Sequence, residues 1–108
     1  MGKHLILEVY DVNYDLLNTI NPLADVMEEG IQRAKMTILN KFTHQFEPHG
    51  LTLIFSLAES HVSVHTFPEM NSLTADAYTC GEGNPRIIIV KLLQYFNSEN
   101  YRLRELSR

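Results

Sequence analysis

The segment Leu51–Phe67, LTLIFSLAESHVSVHTF, contains two consecutive strand patterns and decides the fold of the chain. From Leu51 to Ala58, apolar residues recur at every second position, which is the period of a strand with one buried face. From His61 to Phe67, the chain is rich in Val and Thr and predicts another strand. Two strands joined by so tight a turn pair antiparallel. The segment therefore predicts a β-hairpin within an antiparallel sheet.

Four more strands and two helices are predicted around this hairpin. Each helix is predicted to start at an Asn-Pro pair, with Asn as the N-cap and Pro at the first helical position. In the strand that precedes the hairpin, Ile38, Phe42, His44 and Phe46 are expected to share one face. The further strands are Lys3–Tyr10, Ile38–Phe46, Leu73–Cys80 and Tyr101–Leu106; the helices follow Asn21-Pro22 and Asn84-Pro85, with apolar stripes at Leu23, Val26, Met27, Ile31 and Ala34 and at Ile88, Leu92, Tyr95 and Phe96.

The order strand, helix, several strands, helix, strand predicts a single α+β domain over residues 1–108. Its expected architecture is a two-layer sandwich, with a mainly antiparallel sheet and two helices on one face. The other face of the sheet needs a cover, which a second copy in a dimer would supply.

Composition excludes several classes of protein. The chain has 108 residues, 44% of them hydrophobic, a formal net charge of −4 and a single cysteine. A nucleic-acid binder would show a basic stripe, and an integral membrane protein would show an apolar run of roughly 18 residues or more. Neither pattern is present. One cysteine cannot form an internal disulfide framework, so a cytoplasmic setting is expected.

Five histidines, at positions 4, 44, 49, 61 and 65, are the first place to look for chemistry. Taken singly, each fits a surface or structural histidine. His61 and His65 have the spacing of a zinc pair on a helix. The residues between them favour a strand, in which that spacing separates the two side chains by roughly 13 Å. No metal site is therefore expected.

A polar cluster interrupts the apolar sheet pattern at the strand junction between Ala58 and Glu69. Polar groups within a core element cost stability unless they are paired, so this cluster marks a candidate site. The glycines of a nucleophile elbow are absent around Ser60. Cys80, considered alone, fits a small buried apolar residue.

The run AESHVSVHTFPE, from Ala58 to Glu69, resembles the self-cleavage motif of the prokaryotic S-adenosylmethionine decarboxylase proenzymes, which are pyruvoyl-dependent. The similarity extends over nearly the whole chain. The other matching positions are Gly2-Lys3-His4 and Glu8 in the opening strand, His44, Phe46, Pro48 and Gly50 in the next hairpin, and Tyr78-Thr79-Cys80-Gly81 where the family has Phe-Thr-Cys-Gly.

This resemblance implies self-cleavage between Glu59 and Ser60, giving a β chain of residues 1–59 and an α chain of residues 60–108. In the family, the serine hydroxyl attacks the preceding carbonyl, an ester forms, and β-elimination leaves a pyruvoyl group at the new N-terminus. His65 matches the processing histidine that accepts a proton. Thr52 falls where the family has a serine that assists processing.

The activity implied by the resemblance is decarboxylation of S-adenosylmethionine, whose product supplies aminopropyl groups for spermidine synthesis. The pyruvoyl group derived from Ser60 forms a Schiff base with the substrate amine and acts as an electron sink. Cys80 matches the family's proton donor. Glu69 matches an active-site carboxylate, and Phe46 matches an aromatic residue that stacks on adenine. Phe67 lies in the expected substrate pocket, where the family usually has Trp.

Departures from the family pattern cluster beside that pocket, at Phe67 and at Met70-Asn71-Ser72, which replaces an aromatic-glycine-aromatic stretch. Two alternatives therefore stay open. One is a pyruvoyl-dependent decarboxylase of arginine or ornithine, as some relatives are. The other is a non-processing homologue that binds a metabolite or regulates a partner. In either enzyme reading, the family's active sites lie at a homodimer interface.

Overall fold

The computed structural model describes residues 2–108 and contains one six-stranded sheet. Its strands alternate with helices much as the sequence pattern predicts. The elements, in chain order, are β1 (Lys3–Val9), α1 (Tyr14–Leu17), α2 (Leu23–Arg33), β2 (Ile38–Gln45), β3 (Leu51–Leu57), β4 (Ser60–Phe67), a 3₁₀ turn (Pro68–Met70), β5 (Ser72–Thr79), α3 (Arg86–Phe96) and β6 (Tyr101–Ser107).

The sheet is antiparallel throughout, with the strand order β2-β3-β4-β5-β1-β6. The predicted hairpin is confirmed as β3–β4, in which Leu57 pairs with Ser60 across a two-residue turn. Strand β1 lies between β5 and β6, so the first and last strands of the chain are neighbours. Strands β3, β4 and β5 are consecutive neighbours in the sheet, and most of the candidate residues lie on or next to them.

Both main helices pack on one face of the sheet, which confirms the two-layer α+β sandwich. That face carries the alternate apolar residues of the strands, and Phe55 and Leu5 are fully buried in it. The helices approach each other closely at Gly30, where an added Cβ would lie 3.4 Å from the Cα of Ile88. The predicted stripes are largely confirmed, although Val26 and Tyr95 are only partly buried.

The structure contradicts the predicted start of α2. Asn21 does not cap this helix, which begins at Leu23 with Pro22 at the N-cap and with no side-chain cap. A backbone group takes that role instead, because the amide of Ala24 donates to the carbonyl of Ile20 at 2.9 Å. Helix α3 also begins one residue later than predicted, at Arg86 with Pro85 at the N-cap. Asn84 Oδ1 nevertheless accepts a hydrogen bond from the amide of Arg86 at 3.1 Å.

The expected shared face of β2 is also wrong at one position. A register shift between Ile38 and Asn40 reverses the alternation, so that Ile38 pairs with the buried Leu57. Ile38 consequently packs against the helix-side core. Phe42 and His44 pair with residues of the opposite face, as a two-residue period requires after the bulge.

The face of the sheet away from the helices is here called the open face. Its residues are polar or only partly buried, and most belong to the middle strands. The open face includes His4, Ile6 and Glu8 of β1, His61, Ser63 and His65 of β4, Thr52, Ile54 and Ser56 of β3, and Thr74, Asp76 and Tyr78 of β5.

Within the described residues, no helix has the length and apolar character needed to cross a membrane.

Candidate active site

The turn of the β3–β4 hairpin places a non-glycine residue in an uncommon backbone conformation. Glu59 has a φ of 60°, in the left-handed region that favours glycine. For other residues this region costs on the order of 1 kcal/mol or more. The peptide bond between Glu59 and Ser60 is therefore held in a fixed, mildly strained position at the tip of the hairpin.

Cys80 supplies two donors to the carbonyl oxygen of this peptide. The Cys80 amide donates to the Glu59 oxygen at 3.3 Å, and the Cys80 thiol donates to the same oxygen at 3.1 Å. Cys80 is therefore an exposed residue at the tip rather than the buried apolar residue that its type alone suggested. Two donors on one carbonyl oxygen polarise the C=O bond and stabilise negative charge on the oxygen.

The hydroxyl of Ser60 is fixed by a neighbour that the sequence analysis placed only within a motif. Ser60 Oγ donates to Thr79 Oγ1 at 2.8 Å, and the Gly81 amide donates to the same Thr79 oxygen at 3.0 Å. Thr79 is buried on the helix side of the sheet. It therefore fixes the direction of the Ser60 hydroxyl while leaving the Ser60 oxygen lone pairs free.

His65 and Thr52 come together, but far from Ser60. The residues pair across β3 and β4, and Thr52 Oγ1 lies 3.0 Å from His65 Nδ1. Ser60 and His65 are five residues apart on one strand, which separates them by about 16 Å. An odd spacing also puts them on opposite faces of the sheet. Within one chain, His65 cannot reach the Ser60 hydroxyl.

The aromatic and acidic candidates lie at the same end of the hairpin as His65. Phe46 follows β2 and contacts His44 edge to face, at 4.5 Å between ring centroids. Phe67 ends β4 and lines a depression of about 310 Å³ together with Tyr10 and Met70. Glu69 lies in the 3₁₀ turn that follows β4.

His49, a residue considered above only as a surface or structural histidine, pairs with that carboxylate. His49 Nε2 lies 3.3 Å from Glu69 Oε1. The candidate residues thus form two groups. The tip cluster consists of Glu59, Ser60, Thr79 and Cys80; the His65 cluster consists of Thr52, His65, Phe46, Phe67 and Glu69.

A third group, which the sequence analysis did not assemble, lies on the open face between these clusters. The Asp76 carboxylate accepts a bond from His4 Nε2 at 2.7 Å, lies 3.2 Å from His61 Nε2, and accepts a very short bond from the Ser63 hydroxyl. These four side chains are here called the Asp76 network. Strand register brings them together from β1, β4 and β5, and no spacing along the sequence indicates it.

Three of these residues, His4, His61 and Asp76, place possible metal-ligand atoms within 4.8 Å of one another. Their surroundings favour a hydrogen-bonded network over a metal centre. Arg108 Nη1 lies 3.5 Å from His4 Nδ1. A metal on Nε2 would require a proton on that Nδ1, facing the guanidinium.

Comparisons with known proteins point to one family. Residues 3–108 match the family model described as S-adenosylmethionine decarboxylase. A Prochlorococcus marinus protein named S-adenosylmethionine decarboxylase proenzyme is 39% identical over the whole chain and 87% of its own length. An Archaeoglobus fulgidus protein of the same name is 38% identical over the whole chain and 97% of its own length.

The solved structures include a similar fold. The crystal structure of the adenosylmethionine decarboxylase from Aquifex aeolicus superposes with a TM-score of 0.89 and 28% sequence identity. The match covers the whole of this chain and 90% of the Aquifex chain.

The Asp76 network leads to a pH-dependent prediction. Burial opposes ionisation of Asp76, but hydrogen bonds from Ser63, His4 and His61 outweigh it and hold its pKa below the usual value. A carboxylate with a lowered folded-state pKa stabilises the fold above its unfolded pKa of about 3.9, and this contribution is lost as the pH falls through the folded-state pKa. We expect Asp76→Asn to lower the free energy of unfolding at pH 7. The difference in this free energy between the variant and wild type is expected to narrow below about pH 4.

Urea unfolding at pH 7 and at successively lower pH measures this gap. The exposed carboxylate of Glu99 offers the control, and Glu99→Gln is expected to follow wild type at every pH. A gap for Asp76→Asn that stays constant down to pH 3 would contradict the role given to the ionised carboxylate.

Proposed function

Because the chain belongs to the S-adenosylmethionine decarboxylase family, we propose that it cleaves itself between Glu59 and Ser60 and then decarboxylates S-adenosylmethionine. The observation that carries this proposal is the pair of Cys80 donors on the Glu59 carbonyl, next to a Ser60 hydroxyl fixed by Thr79. The names of the relatives favour S-adenosylmethionine over arginine or ornithine as the substrate, and the word proenzyme in those names favours a processing enzyme over a silent homologue.

The first step is the attack of Ser60 Oγ on the Glu59 carbonyl carbon. The Glu59–Ser60 amide breaks as an ester forms, and the proton of the hydroxyl passes to the departing nitrogen. Negative charge develops on the Glu59 oxygen, where the amide and thiol of Cys80 lie 3.3 and 3.1 Å away. Donors fixed in advance around a developing oxyanion are a major source of rate acceleration.

The second step is β-elimination. Removal of the α-proton of residue 60 expels the Glu59 carboxylate, which carries away the former serine oxygen. Water then replaces the nitrogen of residue 60, which leaves as ammonia, and the α chain starts with a pyruvoyl group. The base for the α-proton is His65, whose ring is oriented by Thr52 through a bond of 3.0 Å.

Since His65 lies about 16 Å from Ser60 in its own chain, the base comes from a second copy. Two-fold packing of open face against open face, with the strands running in opposite directions, sets the tip cluster of one copy beside the His65 cluster of the other. Both copies then hold one complete site each. The same packing covers the open face, whose polar residues otherwise contact solvent.

The environment of residue 60 fits a pyruvoyl group, since Thr79, Gly81 and the Cys80 thiol lie around it. Such a group supplies an electron sink for decarboxylation of an amino acid. Cys80 Sγ is the proton donor to the product carbon. Phe46 and Phe67 of the second copy supply aromatic surface for adenine, and Glu69 supplies negative charge for the substrate's cationic groups.

The product is decarboxylated S-adenosylmethionine, an aminopropyl donor for spermidine synthesis. The setting we propose is the cytoplasm, because Cys80 has to remain a free thiol to act and cytoplasmic conditions keep thiols reduced.

Self-processing is tested by measuring the mass of the intact protein under denaturing conditions. Wild-type protein is expected to give two fragments that break between Glu59 and Ser60, the second without a free amine, while Ser60→Ala stays whole. Thr79→Val removes the acceptor of the Ser60 hydroxyl at nearly constant volume, and we expect cleavage to slow by about tenfold or more. Thr37→Val is the control for the same substitution, because Thr37 is exposed and lies outside the tip cluster. Wild type that stays whole after long incubation would exclude self-processing.

Completion of the site by a second copy is tested by mixing two inactive variants. Ser60→Ala keeps its His65 cluster, and His65→Ala keeps its tip cluster. After unfolding and refolding together, we expect cleavage of about half of the His65→Ala chains, the fraction paired with the other variant in a random equimolar mixture. His49→Ala, which changes a histidine in the same region, is expected to cleave alone. Absence of any cleavage in the mixture would show that the two clusters do not meet between chains.

The substrate is tested with carboxyl-labelled compounds on processed protein. We expect release of labelled carbon dioxide from S-adenosylmethionine at least about a hundred times faster than from arginine or ornithine, because the site offers aromatic surface for a base as well as negative charge. Glu69→Gln is expected to raise KM more than it lowers kcat. Faster release from arginine would make the basic amino-acid decarboxylase the correct assignment.

A further inference from the structure

Processing removes the groups that hold residue 60 in place. In the uncleaved chain, Ser60 is fixed by the covalent turn from Glu59 and by the bond of its hydroxyl to Thr79 at 2.8 Å. A pyruvoyl group has neither an amide hydrogen nor a hydroxyl. Cleavage therefore releases the start of the α chain, although residue 60 must stay in position for the decarboxylation that follows.

The next residue keeps its contacts. His61 Nε2 lies 3.2 Å from Asp76 Oδ2 across the β4–β5 pair, and the His61 ring lies against the ring of Tyr78, with 5.7 Å between centroids. Neither contact involves an atom that processing removes. His61 is thus the first residue of the α chain with side-chain anchorage after cleavage.

Asp76 is itself well fixed. His4 of β1 and Ser63 of β4 bond its two carboxylate oxygens, and the carboxylate is only 24% exposed. Both partners lie on strands paired directly with β5. Because three strands restrain the carboxylate, it offers a rigid reference point for His61. The bond between His4 and Asp76 also links the two chains that cleavage produces.

We propose that Asp76 is a positioning residue which, through His61, holds the start of the α chain after cleavage and keeps residue 60 beside the Cys80 thiol. This inference rests on the proposed function, since an uncleaved chain has no new start to hold. Besides the contribution of the Asp76 network to the stability of the fold, it assigns this network a second role that begins only after the Glu59–Ser60 bond breaks. Before cleavage, the hairpin turn and Thr79 fulfil that role.

The test compares hydrogen exchange of residues 61–63 in cleaved and uncleaved protein. Asp76→Asn is made in the wild-type background, which cleaves, and in the Ser60→Ala background, which does not. Relative to the amides of Leu53 and Phe55 in β3, whose exchange follows the overall loss of stability, we expect exchange at residues 61–63 to rise about tenfold in the cleaved variant and by less than about twofold in the uncleaved one. His61→Phe, which keeps a ring against Tyr78 and loses the bond to Asp76, is expected to behave in the same way. Ser56→Ala, a change beside His61 on β3, is the matched control and is expected to have no effect in either background.

Each other result overturns the inference. Equal acceleration in both backgrounds would give the Asp76 network a purely structural role, and no acceleration in either would give it no role at the chain start. The intact mass of wild type is recorded first. If self-processing fails, this measurement shows a single full-length mass instead of two fragments, which distinguishes that failure from a failure of the present inference. A failure of this inference alone shows normal fragments with unchanged exchange.

Discussion

The side chains of strand β4 alternate between the two faces of the sheet, and the rest of the structure depends on this alternation. Successive side chains of a strand point to opposite faces. Val62 and Val64 are therefore committed to the core beneath the helices, and His61, Ser63 and His65 to the open face. A slip of one residue would bury the polar set and expose the apolar one. The hydrophobic core thus fixes the register that places every polar group discussed above.

The same strand explains why one chain holds two incomplete clusters. Ser60 begins β4 and His65 lies five positions further along, so an extended backbone keeps them apart. No change of rotamer spans that distance. In the two-fold dimer proposed above, each copy presents both clusters, and the antiparallel packing places the tip cluster of one copy beside the His65 cluster of the other.

A small number of hydrogen bonds fixes the tip of the hairpin. The left-handed conformation of Glu59 turns its carbonyl toward Cys80, and the buried Thr79 accepts a hydrogen bond from the adjacent Ser60 hydroxyl. Thr79 belongs to the core side of β5, where its side chain cannot move without disturbing the packing. The precision of the tip cluster therefore comes from the core and not from the exposed turn.

The sequence by itself determined the six strands, the two main helices, the hairpin and the family, because apolar periodicity and the AESHVSVHTFPE motif are local signals. It failed at the cap of α2, where a backbone carbonyl replaced the Asn21 side chain, and at Ile38, where a bulge reversed the alternation. Only the tertiary structure decided which residues meet. The register of β1, β4 and β5 assembled the Asp76 network, and the length of β4 separated Ser60 from His65. Both results come from pairing between strands distant in sequence, which no local pattern encodes.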